Sequence, residues 1–148
     1  MQGKENIGKT ITLRKVLNLL ATHGSLLAQE KPSLAKRLAN GWDTWAVFEY
    51  NGRCIAITTR GDSDKLIKDD FTEMEQEAVR LNRTVDTYVC AVHLYGKTLN
   101  CVKGKAKALK ADYYILGKAT CKSNNTAVET ALRDDISDVH AQMIFNIL

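Results

Sequence analysis

The segment Trp45-Ala-Val-Phe-Glu-Tyr-Asn-Gly-Arg-Cys-Ile-Ala-Ile-Thr-Thr59 constrains the fold more tightly than any other stretch of the chain. Asn51-Gly52 stands between two alternating runs, and both residues tolerate the positive φ that a type I′ turn demands. A two-residue turn leaves one register. Tyr50 is predicted to pair with Arg53, Phe48 with Ile55 and Ala46 with Ile57 on one face, while Val47, Glu49, Cys54 and Ala56 fall on the other. With Phe48 and Ile55 on the core face, truncating Phe48 to alanine should cost on the order of 3–5 kcal/mol.

A second hairpin is predicted further on. Thr84 to Tyr95 is rich in β-branched and aromatic residues, meets Gly96-Lys97, and resumes as Thr98 to Lys103. Glycine first in a two-residue loop fits a type II′ turn. Tyr95 would then face Thr98, Leu94 face Leu99, Val92 face Cys101 and Ala91 face Val102. Tyr88, Cys90, Val92 and Leu94 share one face with Val89 and Ala91 on the other, which reads as a central strand covered on both sides.

Helical spacing fills most of the rest. Leu13, Val16, Leu17 and Leu20 recur at threes and fours, with Thr10 or Thr12 as cap and Gly24 in the left-handed position after the end. Ser25 to Glu30 reads as a further turn or two of helix that Pro32 ends, and Ser33 to Gly41 as a short helix. Leu66, Ile67, Phe71, Met74, Ala78 and Leu81 define an amphipathic helix over 64–82 with an acidic outer face. Ala111 to Thr120 reads as a strand, and Lys105 and Lys107 before it suit an edge strand, a loop or a helical turn. Thr126 and Glu129 form a capping box for a last helix whose apolar stripe is Val128, Leu132, Ile136, Val139, Met143 and Ile147. The prediction is an α+β fold: a single domain over 10–148 after a frayed 1–9, with a mostly antiparallel sheet built from the two hairpins and covered by amphipathic helices.

Composition narrows the classes. A chain of 148 residues, 45% hydrophobic and 26% charged, is of ordinary globular make-up. No apolar run approaches the roughly 20 residues of a membrane span, and Met1 to Asn6 lacks a signal peptide's apolar core, so a cytosolic protein without membrane contact is expected. Cys54, Cys90, Cys101 and Cys121 stand apart and are expected to be reduced packing residues. His23, His93 and His140 are equally dispersed, so no metal site is expected. Phosphate-loop and dinucleotide signatures are missing, and no cofactor is implied. A cysteine nucleophile is conceivable only at His93 and Cys101, diagonal neighbours in the second hairpin.

Two partial resemblances follow from element order. Leu13 to Gly41 followed by the Asn51-Gly52 hairpin resembles a winged helix module, which implies DNA binding by a recognition helix in the major groove. A third helix of that family would fall where Trp42 to Tyr50 reads as strand. The helix, hairpin, helix, strand order from Ser33 to Tyr95 is similar to restriction-endonuclease-like nucleases, although their acidic residue followed by Glu-x-Lys on adjacent strands is absent.

The strongest functional signal is charge. Residues 61–96 carry eight acidic against four basic side chains, and residues 97–122 carry seven basic against one acidic. Lys97, Lys103, Lys105, Lys107, Lys110, Lys118 and Lys122, interleaved with Tyr113 and Tyr114, suit a nucleic-acid surface, with lysines on phosphates and an aromatic on unpaired bases. If the segment is extended, Tyr113 and Tyr114 point to opposite faces, and Tyr114 is taken as the one beside the lysines. The alternative is a protein-interaction module, including a homodimer, that uses the acidic helix 64–82 or an exposed sheet edge. An enzyme of unrecognised type stands third.

Overall fold

The computed structural model describes residues 2–3, 8–93, 96–117 and 125–148. Along the chain these form β1 (Gln2–Gly3), α1 (Lys9–His23), β2 (Ser25–Gln29), α2 (Leu34–Ala39), β3 (Trp45–Tyr50) and β4 (Arg53–Thr58). Then come α3 (Asp64–Arg80), β5 (Thr87–Cys90), β6 (Val92–His93), α4 (Lys97–Leu109) and α5 (Thr126–Ile147). Asn51 and Gly52 both take positive φ, 51° and 75°, and β3 pairs with β4 in the predicted register from Tyr50↔Arg53 to Ala46↔Ile57.

That hairpin is the centre of a four-stranded sheet in the order β2-β3-β4-β5. β2, β3 and β4 are an antiparallel meander, and β5 joins parallel to β4 after the chain has crossed through α3. The pleat sends Ala46, Phe48, Ile55 and Ile57 to one side, where Leu13, Val16, Leu17 and Leu20 of α1 and Ala141, Ile144 and Phe145 of α5 cover them. It sends Val47, Cys54 and Ala56 to the other, against Ile67, Phe71, Met74 and Ala78 of α3. The result is an α+β domain of three layers, helices on both faces of a mostly antiparallel sheet.

Several expectations are corrected. The second hairpin is absent: Gly96, at φ 92°, precedes a helix that already includes Lys97. Thr98, Val102 and Lys105 recur at helical spacing on the face turned to α3, and Lys, Leu and Ala are strong helix formers, so helix wins over the short alternation in Thr98 to Lys103. Thr84 to Tyr95 does not supply a central strand either. Its β5 is four residues long and lies at the sheet edge, and the chain then leaves the sheet so that β6 pairs with Gln2 and Gly3 of β1. Leu94 and Tyr95 lie outside the described residues.

Ser25 to Gln29 is a strand rather than a helical turn, because it completes the meander on β3. Gly24 is accordingly extended (φ −110°, ψ −177°), and a Cβ there would lie 2.8 Å from the Glu49 carbonyl oxygen. This close approach of two backbones is what requires glycine. With β2 and β3 as strands where a winged helix needs helices, that resemblance lapses. Ala111 to Leu116 has no regular structure, and Gly117 makes only an isolated bridge. Asn125 rather than Thr126 caps α5, accepting hydrogen bonds from the backbone of Ala127 and Val128 at 3.0 and 3.3 Å.

The last correction concerns which side of α5 is buried. Ser137, Ala141, Ile144 and Phe145 face the core. The predicted stripe faces out instead: Val128 is 46%, Leu132 42%, Val139 60%, Met143 46% and Ile147 51% exposed.

Candidate nucleic-acid interface

Helix α4 sorts its lysines by its period. Its inner face sets Thr98, Leu99, Cys101, Val102 and Ala106 toward the body of the domain. Lys103 and Lys107 recur at i and i+4 on the opposite face, with Asn100 one turn ahead, and Lys110 follows as the C-cap in the left-handed conformation (φ 52°); all four are exposed. A helical rise of 1.5 Å per residue separates Lys103 and Lys107 by about 6 Å along the axis. Lys97 is exposed at the start of the helix. None of Lys97, Lys103, Lys107 and Lys110 forms an ion pair with another described residue, whereas Lys105 does.

Lys105 lies on the inner side. Its ammonium pairs with Glu75 of α3 and lies 5.6 Å from the centre of the Tyr88 ring. The Tyr88 hydroxyl donates to the same carboxylate, and the ring meets Phe71 edge-on at 5.0 Å. Partial burial pushes the Glu75 carboxyl up, but the hydrogen bonds from Lys105 and Tyr88 outweigh it and hold the group below the usual carboxylate range. Burial and the Glu75 charge push the Tyr88 phenol well above its ordinary value. Lys105 therefore ties α4 to α3 and β5, and its charge is spent inside the domain.

The segment after α4 turns back beside it. Tyr113 and Tyr114 are 50% and 78% exposed, and both border a cleft of about 280 Å³ between α4, β5 and the end of α5. Arg53, Asp86 and Lys103 stand on its rim, over apolar walls that include Val102 and Ile144. Both tyrosines line this cleft from an irregular segment, where a regular strand would have sent them to opposite faces. Lys103 and Lys105 thus line the same cleft as Tyr113 and Tyr114, Lys97, Lys107 and Lys110 are exposed outside it, and Lys118 and Lys122 lie outside the described residues.

A second cluster of charge, which sequence reasoning missed, closes one end of the sheet. Arg60 bridges Glu30 and Asp70, at 2.7 Å to each, and Arg37 adds a 3.0 Å pair to Glu30. The Thr58 hydroxyl donates to Asp70. Burial pushes the Asp70 carboxyl up against the opposing pull of Thr58 and Arg60. Two guanidinium groups answer two carboxylates, and Arg37 also donates to the Lys31 and Asp43 carbonyls. This cluster is a pin rather than a site open to a ligand.

The hairpin register that would have set His93 diagonal to Cys101 does not form. His93 faces Asp62 at 3.5 Å, and Cys101 has moved onto α4. Burial raises the thiols of Cys54, Cys90 and Cys101, that of Cys90 to about 11, away from the thiolate a nucleophile needs. These three are free cysteines, and Cys121 lies outside the described residues. On the adjacent strands β3 and β4 the ionisable side chains are Glu49, Tyr50, Arg53 and Cys54, all at the hairpin end, so the acidic-then-Glu-x-Lys set has no counterpart. Among the described residues no group of three His, Cys, Asp or Glu is placed to hold a metal ion, and no helix is long and apolar enough to cross a membrane. No protein-family model matches the chain, and no curated protein or solved structure matches it.

Proposed function

We propose that this protein binds single-stranded nucleic acid along the outer face of α4. The observation that carries the reading is the row of Lys103, Lys107 and Lys110, exposed and without an ion pair to another described residue, with the exposed ring of Tyr114 on the cleft that Lys103 borders. Lysines at this spacing meet successive phosphates of a strand as point charges. A neighbouring aromatic ring offers a stacking surface that every base can use and that paired bases cannot reach. The acidic helix named as the alternative surface has less support, because much of its charge is engaged within the chain: Asp64 with Lys68, Glu73 with the Trp45 indole, Glu75 with Lys105 and Glu77 with Arg80.

Titration of labelled single- and double-stranded DNA and RNA across a salt series tests this. Replacing Lys103, Lys107 and Lys110 together with alanine should lower the log–log salt slope by about two units for a single strand, at roughly 0.7 per released contact. Lys105→Ala should leave that slope unchanged, and Tyr114→Ala should weaken single strands by about 1–3 kcal/mol while sparing duplexes. Absence of binding at about 50 mM salt, or a slope indifferent to the triple substitution, overturns the reading.

A further inference from the structure

The cleft beside α4 has the size and walls of a site for one small flat molecule. At about 280 Å³ it lies at the lower end of the range of small-ligand pockets, roughly 300–1,000 Å³, and is too small to seat a helix. Val102 and Ala106 of α4 and Ile144 of α5 supply apolar walls, and Tyr113 and Tyr114 line it from the segment after α4. Lys103 joins it to the lysine row, since it borders the cleft and lies about one helical turn from Lys107. A strand whose phosphates follow Lys107 and Lys103 therefore arrives at the mouth.

The charged groups say what kind of molecule fits. Tyr88 and Lys105 line the cleft but are held by Glu75. Arg53, Lys103, Asp86 and Asp112 also border it, are exposed, and form no ion pair with a described residue. Two cations and two carboxylates cancel, so the site favours a neutral ligand with both donors and acceptors over an organic anion. Arg53 and Asp86 are neighbours. The Asp86 carboxylate accepts from the Cys54 backbone N–H at 2.7 Å, and the Asp86 N–H donates to the Cys54 carbonyl at 2.9 Å, which fixes the acid next to Arg53. Its second oxygen accepts no hydrogen bond from a described residue. A guanidinium that only donates, beside a carboxylate that only accepts, matches the edge of a nucleobase, where N–H groups stand next to carbonyl or ring-nitrogen acceptors. We infer, resting on the nucleic-acid reading above, that the cleft receives one unpaired base of the bound strand, its faces against the apolar walls and its edge toward Arg53 and Asp86.

Fluorescence anisotropy at about 50 mM salt on two labelled DNA hexamers tests it, one wholly abasic and one carrying a single central base. The base should tighten binding about tenfold without changing the salt slope, since the phosphates are the same. Ala106→Met, which fills the cleft from the inner face of α4, should abolish that gain, and the abasic strand, bound as before, reports that the variant is folded. Asp86→Asn keeps an oxygen for the Cys54 N–H and turns the other acceptor into a donor, so it should change the ranking of the four bases at the central position. Free nucleoside monophosphates should bind at least about tenfold more weakly than the one-base strand, because they cannot also reach Lys107. A gain that survives Ala106→Met, a ranking indifferent to Asp86→Asn, or a mononucleotide as tight as the strand overturns the inference. No binding of either strand overturns it together with the nucleic-acid reading, whereas an abasic strand that binds through the lysines, with no gain from the base, overturns the inference alone.

Discussion

Lys103 and Lys105 are two residues apart and have opposite fates because a helix turns by about 200° between them. One ammonium stays in solvent; the other becomes the third member of a set with Glu75 and Tyr88. That set makes a pH prediction. The folded Glu75 carboxyl lies below its ordinary range, so its contribution to stability is present above the unfolded pKa and is lost as the pH falls through the lower folded value. Glu75→Gln should therefore lower stability at pH 7 and shrink the loss of stability between about pH 5 and pH 3. The Glu75 side chain is 34% exposed, which keeps the effect below about 1 kcal/mol. Urea midpoints for the two proteins across that pH range measure it.

At the scale of elements, α4 offers the sharpest test of the architecture. Gly104 lies inside the helix, on its exposed side, with nothing within 4 Å of where a Cβ would stand. Gly104→Ala should raise stability by about 0.5–1 kcal/mol, since the helix interior has room for the methyl group and glycine loses more chain entropy on folding; chemical denaturation measures the gain. The same element marks where sequence was legible and where it was not. Asn51-Gly52 declares its turn by local backbone chemistry alone, and α1 and α3 carry several turns of apolar repeat, so each could be read in isolation. Thr98 to Lys103 satisfies both a period of two and a period of three to four, and only its continuation through Leu109 and its packing against α3 decide. Ser25 to Gln29 is a strand because β3 offers it an edge, which no local window contains. The stripe of α5 was found, but a helix apolar on two sides does not announce which side the core takes. At the candidate site the lysines could be counted, but which of them spend their charge internally could not. The Glu30, Arg37, Arg60 and Asp70 cluster gathers residues from four separate places in the chain and leaves no motif.

The whole molecule is two helical layers clamped on a sheet whose strands differ in how far the chain must travel to pair them. β2, β3 and β4 follow one another through short connections, whereas β5 reaches β4 only after the whole of α3 has been laid down between them. Closing that long crossover costs chain entropy that the meander does not. Folding rates should divide along this line. Phe48→Ala, at a fully buried site in the meander, should chiefly slow folding. Val89→Ala, in the late-arriving edge strand, should leave folding nearly unchanged and speed unfolding, and stopped-flow chevrons separate the two. The parallel strand is thus the first part of the sheet to let go. When β5 peels away from β4 it uncovers the apolar walls of the cleft beside Tyr114 and frees the ring of Tyr88 from Glu75, so amide hydrogen exchange in residues 87–90 should run ahead of that in the meander. The surface proposed for nucleic acid would then sit on the least protected margin of the domain.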